Sequence, residues 1–219
     1  MNYTREQLLR TLDVAVLRPN ATVSEIMTTA RAADRLGLAS VCVNPINVKI
    51  ATGICKRVCS VVGFPHGNTY PVVKVQEAGY AVVEGAREID FVLNYGRFLS
   101  GDLGTVEQEI KYLTKLCKPR GIVLKAILET CYLTPPQIDE LCKLCVAGGV
   151  DFVKTSTGFG DGGATAGAVA VMLNAVKGSN VQVKASGGIS TYEDACKFLD
   201  MGCTRLGVGY TKWEGILPR

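Results

Sequence analysis

The chain alternates short runs of apolar, β-branched residues with longer stretches in which apolar positions recur every three or four residues. Runs of the first kind read as strands buried on both faces of a parallel sheet, and stretches of the second as amphipathic helices laid over it. Eight runs can be counted: LDVAVL from Leu12, SVCVNP from Ser40, VCSVVGFP from Val58, EIDFVLN from Glu88, IVLKAILE from Ile122, DFVKTST from Asp151, VQVKASGG from Val181 and TRLGVGY from Thr204. The helical stretches carry their own punctuation. Thr22 to Leu36 opens on a capping-box pattern with Glu25 and closes at Gly37, while Tyr70 to Glu84 has Pro71 in its first turn and Gly85 after it. Thr105 to Cys117 stops before Pro119, Thr134 to Val146 begins with two prolines and ends at Gly148, and Thr165 to Lys177 and Thr191 to Met201 both close on glycine. The N-terminal stretch, MNYTREQLLRTLD, is a polar start to a helix, and only Pro45 to Ile54 is short for a crossover.

Eight strand–helix units in 219 residues predict an α/β fold, a single-domain (β/α)8 TIM barrel over residues 1–219, near the lower size limit of that architecture. An open doubly wound sheet is the alternative. Its support is Gly158, Gly160 and Gly163, a G-x-G-x-x-G between a strand and a helix. The next strand, however, ends without an acidic residue for a ribose, and the motif is far from the first strand.

Charged residues inside the apolar runs are few: Asp13, Asp90, Lys125, Glu129, Lys154 and Lys184. Asp90, Lys125, Lys154 and Lys184 fall on the fourth to seventh strands, which are neighbours in a barrel, and period-two alternation lets all of them face the lumen. Burying three lysines with one or two acids makes little sense as stabilisation, because unpaired buried charge destabilises. It does suit a tuned amine. A desolvated lysine beside a second cation is prepared to attack a carbonyl and form a Schiff base. Lys154 then supplies the nucleophile, Lys184 the second cation, and Asp90 moves protons. A lumenal salt-bridge network without catalysis is the competing reading. Gly187 and Gly188 after the seventh strand, and Gly207 and Gly209 in the eighth, let backbone N–H groups approach an anion where barrels often hold phosphate.

Composition narrows the field. The formal net charge of +4 comes from scattered lysines and arginines with no basic block, so nucleic acid is not implied while a small anionic substrate is compatible. No run reaches the length of a membrane span and the N-terminus has no apolar signal core, so a cytoplasmic protein is expected. Nine cysteines, mostly at apolar positions, read as free core thiols; Cys142 and Cys145 form a C-x-x-C, but within a helix and with no second pair. One histidine, His66, argues against a histidine-rich metal site or a Ser-His-Asp triad. No metal and no cofactor are therefore expected.

DFVKTSTGF followed by VKASGGI, with EIDFVLN, LKAILET and VVGFPHG in the same order and spacing, resembles the deoxyribose-phosphate aldolase family over nearly the whole chain. The resemblance implies a class I aldolase that cleaves 2-deoxy-D-ribose 5-phosphate reversibly to D-glyceraldehyde 3-phosphate and acetaldehyde in deoxyribonucleotide catabolism. By motif position, Lys154 carries the Schiff base, while Asp90 and Lys184 are proton donor and acceptor. Asp13, Cys42, Lys125, Thr157 and Gly158 line the substrate site, and the loops of Gly187, Gly188, Gly207 and Gly209 hold the phosphate. A homodimer is the expected assembly.

Three positions depart from the family pattern. Val14 and Ala15 stand where a polar pair is common, Gly209 where many members have serine, and the chain stops at Arg219 without the longer tail of some members. Another lysine-dependent aldolase or transaldolase, or a non-catalytic sugar-phosphate-binding barrel, are the alternatives.

Overall fold

The computed structural model describes residues 3–218; the ends of the chain, including Arg219, lie outside them. Eight strands close into one parallel barrel in chain order. They are β1 (Leu12–Val16), β2 (Ser40–Val43), β3 (Val58–Val62), β4 (Glu88–Val92), β5 (Val123–Ile127), β6 (Phe152–Lys154), β7 (Gln182–Ser186) and β8 (Arg205–Gly209). The TIM barrel expected from the periodicity is therefore the fold, and the doubly wound alternative falls with the β1–β8 pairing that closes the sheet. The glycine motif at 158–163 has a packing role. A Cβ on Gly163 would lie 2.4 Å from the Gly187 carbonyl oxygen, so the loops after β6 and β7 touch backbone to backbone.

Nine helices are formed by the described residues: α1 (Arg5–Leu9), α2 (Val23–Leu36), α3 (Val48–Thr52), α4 (Pro71–Val83), α5 (Tyr95–Leu99), α6 (Leu103–Cys117), α7 (Pro135–Gly148), α8 (Ala166–Ala175) and α9 (Tyr192–Met201). Among them no helix is long and apolar enough to cross a membrane. Thr22 and Glu25 make the expected capping box, and Gly37 takes the left-handed cap. Two boundaries move for local reasons. Helix α6 starts two residues before Thr105 because the Asp102 carboxylate accepts the Thr105 N–H at 3.1 Å. Helix α7 runs through Gly148, where a Cβ would lie 2.2 Å from Ile110, and it is Gly149, at φ 77°, that turns the chain. The short α5 has no counterpart in the hydrophobic pattern.

Alternation along each strand divides the sheet into two faces. Leu12, Val14, Val41, Ile89, Phe91, Leu124, Val153, Val183 and Leu206 belong to the one large apolar core shared with the helices. Inside the barrel the apolar cluster is small, formed by Leu17, Cys42, Cys59 and Val61. Val14 therefore faces the helices, so of the two non-polar positions that depart from the family pattern only Ala15 reaches the lumen side.

One buried ion pair anchors the helical layer to the sheet. Lys74 on α4 pairs with Glu109 on α6, both fully buried, and Lys74 also donates to the Val92 carbonyl at 2.7 Å while Glu109 accepts the Asn94 N–H at 2.7 Å. The pair fixes the chain just beyond β4, the strand that carries Asp90. Burial pushes the Lys74 ammonium down and the Glu109 carboxyl up, so each charge depends on the other against desolvation. Removing one partner leaves an uncompensated buried charge, which costs about 3–5 kcal/mol. Lys74→Met should lower the unfolding free energy by that amount in urea titration; a loss below about 1 kcal/mol would show that the pair does not anchor the barrel.

Candidate active site

Strand register brings the lumenal charges together. Asp90 lies opposite Lys125, Lys154 opposite Lys184, and Lys184 opposite Arg205, while β1 places Asp13 beside Ser40 and Gly207. At the centre is Asp90, wholly buried. Its Oδ1 accepts from Lys125 Nζ at 2.7 Å, and its Oδ2 accepts from Lys154 Nζ at 2.8 Å and from Lys184 Nζ at 2.7 Å. Asp13 is the second hub, bound by Lys184 at 2.5 Å, Arg205 at 2.6 Å and the Ser40 hydroxyl at 2.6 Å. Glu88 is the third carboxylate, 2.5 Å from Lys125 and 3.2 Å from Arg205.

Four basic side chains thus share these three carboxylates, and the buried Glu129 carboxylate lies near Lys154 as a fourth acid. Burial raises the Asp90 carboxyl, but Lys125, Lys154 and Lys184 outweigh it and hold the group well below the ordinary carboxylate range; Asp13 is held down in the same way by Lys184, Lys125 and Arg205. Lys184 shows the mirror image: burial pushes it down, yet Asp13 and Asp90 hold it above the ordinary lysine range. The two cations Lys154 and Lys184 do not face each other directly, because Asp90 Oδ2 accepts from both.

Above this network opens a cavity of about 270 Å³ at the C-terminal ends of the strands. Lys154 and Lys184 form part of its floor, and Asp13, Cys42, Thr157, Gly158, Gly187, Gly188, Gly207 and Gly209 line it. Gly207 is needed for more than loop freedom. A Cβ there would lie 2.6 Å from Ser186 Cβ and 3.2 Å from Lys184 Cε, so only glycine leaves the Lys184 side chain its place. Two expected positions differ. Asp90 and Lys125 do not line the cavity; both are fully buried one layer beneath it. Lys125 is drawn down there by Glu88, Asp90 and, at 3.6 Å, Asp13.

Glu129 also departs from expectation. It does not belong to β5, which ends at Ile127, but stands just beyond it with φ 56° and ψ 63°. Its buried carboxylate accepts the Thr157 N–H at 3.2 Å and the Thr157 hydroxyl. Burial pushes this carboxyl up against the pull of Thr157 and Lys154.

Four contributors were not read from the sequence. Glu88 and Arg205 open their strands, where a charge ordinarily reads as a solvent-facing end; the available signal was their two-residue spacing from Asp90 and Gly207, which puts them on the lumenal side. Arg18 and Lys212 stand at the cavity rim. Arg18 stacks over the Tyr210 ring at 5.9 Å, and the Tyr210 hydroxyl donates to Glu25 at 2.6 Å, so the rim is tied to the first turn of α2.

Among the described residues, Cys42, Cys59 and Asp90 are one grouping able to offer metal ligands, with atoms within 4.8 Å of one another. Lys125 lies 3.5 Å from Cys59 and 2.7 Å from Asp90, placing an ammonium where a cation would have to sit. Cys142 and Cys145 are buried free thiols of α7, and burial pushes the Cys142 thiol up to about 12, which suits core packing rather than redox work. His66 lines a separate polar pocket with Asn94 and Arg97.

The family model for DeoC/LacD family aldolases matches residues 8–208, which include every lumenal charge described above. The chain belongs to the DeoC/LacD aldolase family. A deoxyribose-phosphate aldolase of Thermoanaerobacter sp. (strain X514) is 47% identical over 205 residues, covering 91% of this chain and 92% of the relative. Among solved structures, QR15, an aldolase, superposes with a TM-score of 0.88 at 38% identity, covering 94% of this chain and 92% of that one. A tetrameric deoxyribose phosphate aldolase from Aeropyrum pernix superposes with a TM-score of 0.88 at 29% identity, covering 97% and 90%. As an aldolase of this family the chain is an enzyme, a carbon–carbon lyase.

Proposed function

We propose that this aldolase cleaves 2-deoxy-D-ribose 5-phosphate reversibly to D-glyceraldehyde 3-phosphate and acetaldehyde, with Lys154 as the Schiff-base nucleophile. The observation that carries the reading is the unequal sharing of the lumenal carboxylates. Lys125, Lys184 and Arg205 each hold two or three of them, whereas Lys154 is paired with Asp90 alone and also faces the cavity. Of the four cations it gives up least on becoming an imine. The substrates named for the family's curated relatives point to the same chemistry.

The steps follow from the groups in place. Lys154 Nζ passes a proton to Asp90 Oδ2, 2.8 Å away, and adds as the neutral amine to the carbonyl carbon of the open-chain sugar; the carbinolamine takes the proton back as its hydroxyl leaves as water, which gives the iminium. The iminium draws electrons from the bond between the carbons α and β to it, while a base takes the proton of the β-hydroxyl, and glyceraldehyde 3-phosphate leaves. The remaining enamine takes a proton on carbon, and water releases acetaldehyde. Asp90 Oδ2 lies 2.8 Å from Lys154 Nζ and 2.7 Å from Lys184 Nζ, so Asp90 and Lys184 stand beside the reacting amine and share the proton transfers. An iminium nitrogen keeps one N–H of the three in the ammonium, so Lys154 retains a donor for Asp90 Oδ2 after the imine forms.

The same reading gives the other substrate contacts their roles. Thr157 and Gly158 close one wall, Asp13 and Cys42 another, and Gly187, Gly188, Gly207 and Gly209 bring backbone N–H groups to the phosphate. Arg18 and Lys212 add charge at that end. Residues 1–219 work as one catalytic domain in the cytoplasm, within deoxyribonucleotide catabolism and with no cofactor. Self-association belongs to the proposal too. The Aeropyrum pernix relative is tetrameric, and a homodimer is the smallest assembly that would cover the outer face of α4, where Tyr80 and Val83 stand 76% and 83% exposed.

Turnover of deoxyribose 5-phosphate should be seen in a coupled assay for glyceraldehyde 3-phosphate, and prolonged chelation should leave it intact, because the iminium does the work of a Lewis acid. Loss of turnover that zinc restores would contradict the Schiff-base reading. Gly209→Val adds a side chain into open space with no backbone strain. It should weaken cleavage of deoxyribose 5-phosphate about 10-fold, the loss of one hydrogen bond to a charged group, relative to free deoxyribose. Equal losses for both sugars would place the phosphate elsewhere.

A further inference from the structure

Just beyond β5 the ladder to β6 gains one residue. Leu128 N–H donates to the Lys154 carbonyl at 3.0 Å, and Thr130 N–H donates to the Thr155 carbonyl at 2.9 Å. Two steps along one chain therefore match one step along the other, which is a β-bulge, and its extra residue is Glu129. Bulges re-aim side chains, and this one lies directly against Lys154. Glu129 is the one non-glycine residue with positive φ among the described residues. A left-handed bulge position is where glycine is expected, because any Cβ strains it. Such strain persists where surrounding contacts over-determine it, and it gathers at functional sites.

The contacts at Glu129 are specific. Glu129 is 1% exposed, and both Thr157 donors, the backbone N–H and the hydroxyl, end on its carboxylate. The Thr157 hydroxyl oxygen in turn accepts the Phe159 N–H at 3.0 Å, and the Phe159 ring packs edge-on against Phe64 at 5.3 Å. Gly160 lets the loop pass over the carboxylate, since a Cβ there would lie 3.1 Å from Glu129 Cδ. Thr157, Gly158 and Phe159 all line the cavity, whereas Glu129 does not.

We propose that Glu129 is a positioning residue: the bulge aims its carboxylate at Thr157 and so holds the cavity wall from Thr157 to Phe159 in the shape that receives the sugar phosphate. The identity of that ligand rests on the proposed function. With its proton committed to Glu129, the Thr157 hydroxyl can meet a sugar hydroxyl only as an acceptor, and the orientation of the wall is set before substrate arrives.

Glu129→Gly tests the role, because glycine relieves the left-handed backbone while removing the acceptor, so the fold should survive. In this variant KM for deoxyribose 5-phosphate should rise about 10-fold or more, the size expected for a lost charge-assisted anchor. The fraction of chains trapped as an imine with acetaldehyde and borohydride should stay as in the parent. Glu129→Gln, which keeps one acceptor oxygen, should recover most of the loss. Amide exchange of residues 157–159, read without substrate, should be faster in Glu129→Gly than in the parent. Unchanged KM and unchanged exchange in Glu129→Gly would overturn the proposal, as would a loss confined to the trapped fraction with no recovery in Glu129→Gln. Failure of the parent protein to cleave the sugar phosphate would instead count against the reaction, and the exchange measurement would still decide the role of Glu129.

Discussion

The Asp90 carboxylate ties together three strands that follow it around the barrel, accepting from lysines of β5, β6 and β7. Everything else in the lumen is arranged so that this is tolerable. Three ammonium groups around one carboxylate would repel one another out of the fold if Asp90 were their only partner. Asp13 and Glu88 take up Lys125, Lys184 and Arg205 from the other side, and Lys154 is the one left with a single acceptor. A buried charge network is a poor source of stability, since desolvation costs at least as much as pairing returns. The stability comes from elsewhere, from the apolar outer face of the same strands against the helices. The barrel thus separates its two tasks by the alternation of side chains along each strand.

Support for the site extends outward in layers. Beneath the cavity, Lys125 orients Asp90; beside it, Gly207 makes room for Lys184. Past the end of β4, the Lys74–Glu109 pair holds the chain at Val92 and Asn94, two and four residues beyond Asp90. At the mouth, Arg18 and Tyr210 join the rim to α2 through Glu25. Each layer uses a polar group to fix another polar group, which is how a reacting constellation is kept in one geometry.

Much of this was legible in the sequence because the signals were local. Lys154 and Lys184 stand out as polar residues inside apolar runs, and helix ends at Thr22, Gly37 and Thr134 follow from the chemistry of a few neighbouring residues. What was not legible depends on contacts between distant segments. Lys74 and Glu109 are 35 residues apart and each looks like an ordinary helix-surface charge. Glu88 and Arg205 are 117 residues apart, and their contact forms across the lumen only once the barrel closes between β8 and β1. Glu129 reads in the sequence as a charge in a strand, but its bulge exists only in the hydrogen bonds between β5 and β6.

Carboxylate sharing selects Lys154, among three lumenal lysines, as the amine that forms the imine in the proposed reaction. Borohydride reduction in the presence of acetaldehyde, followed by peptide mapping, tests it most directly. A single reduced adduct is expected on Lys154, with Lys125 and Lys184 unmodified. An adduct on Lys184 or Lys125, with Lys154 free, would contradict it.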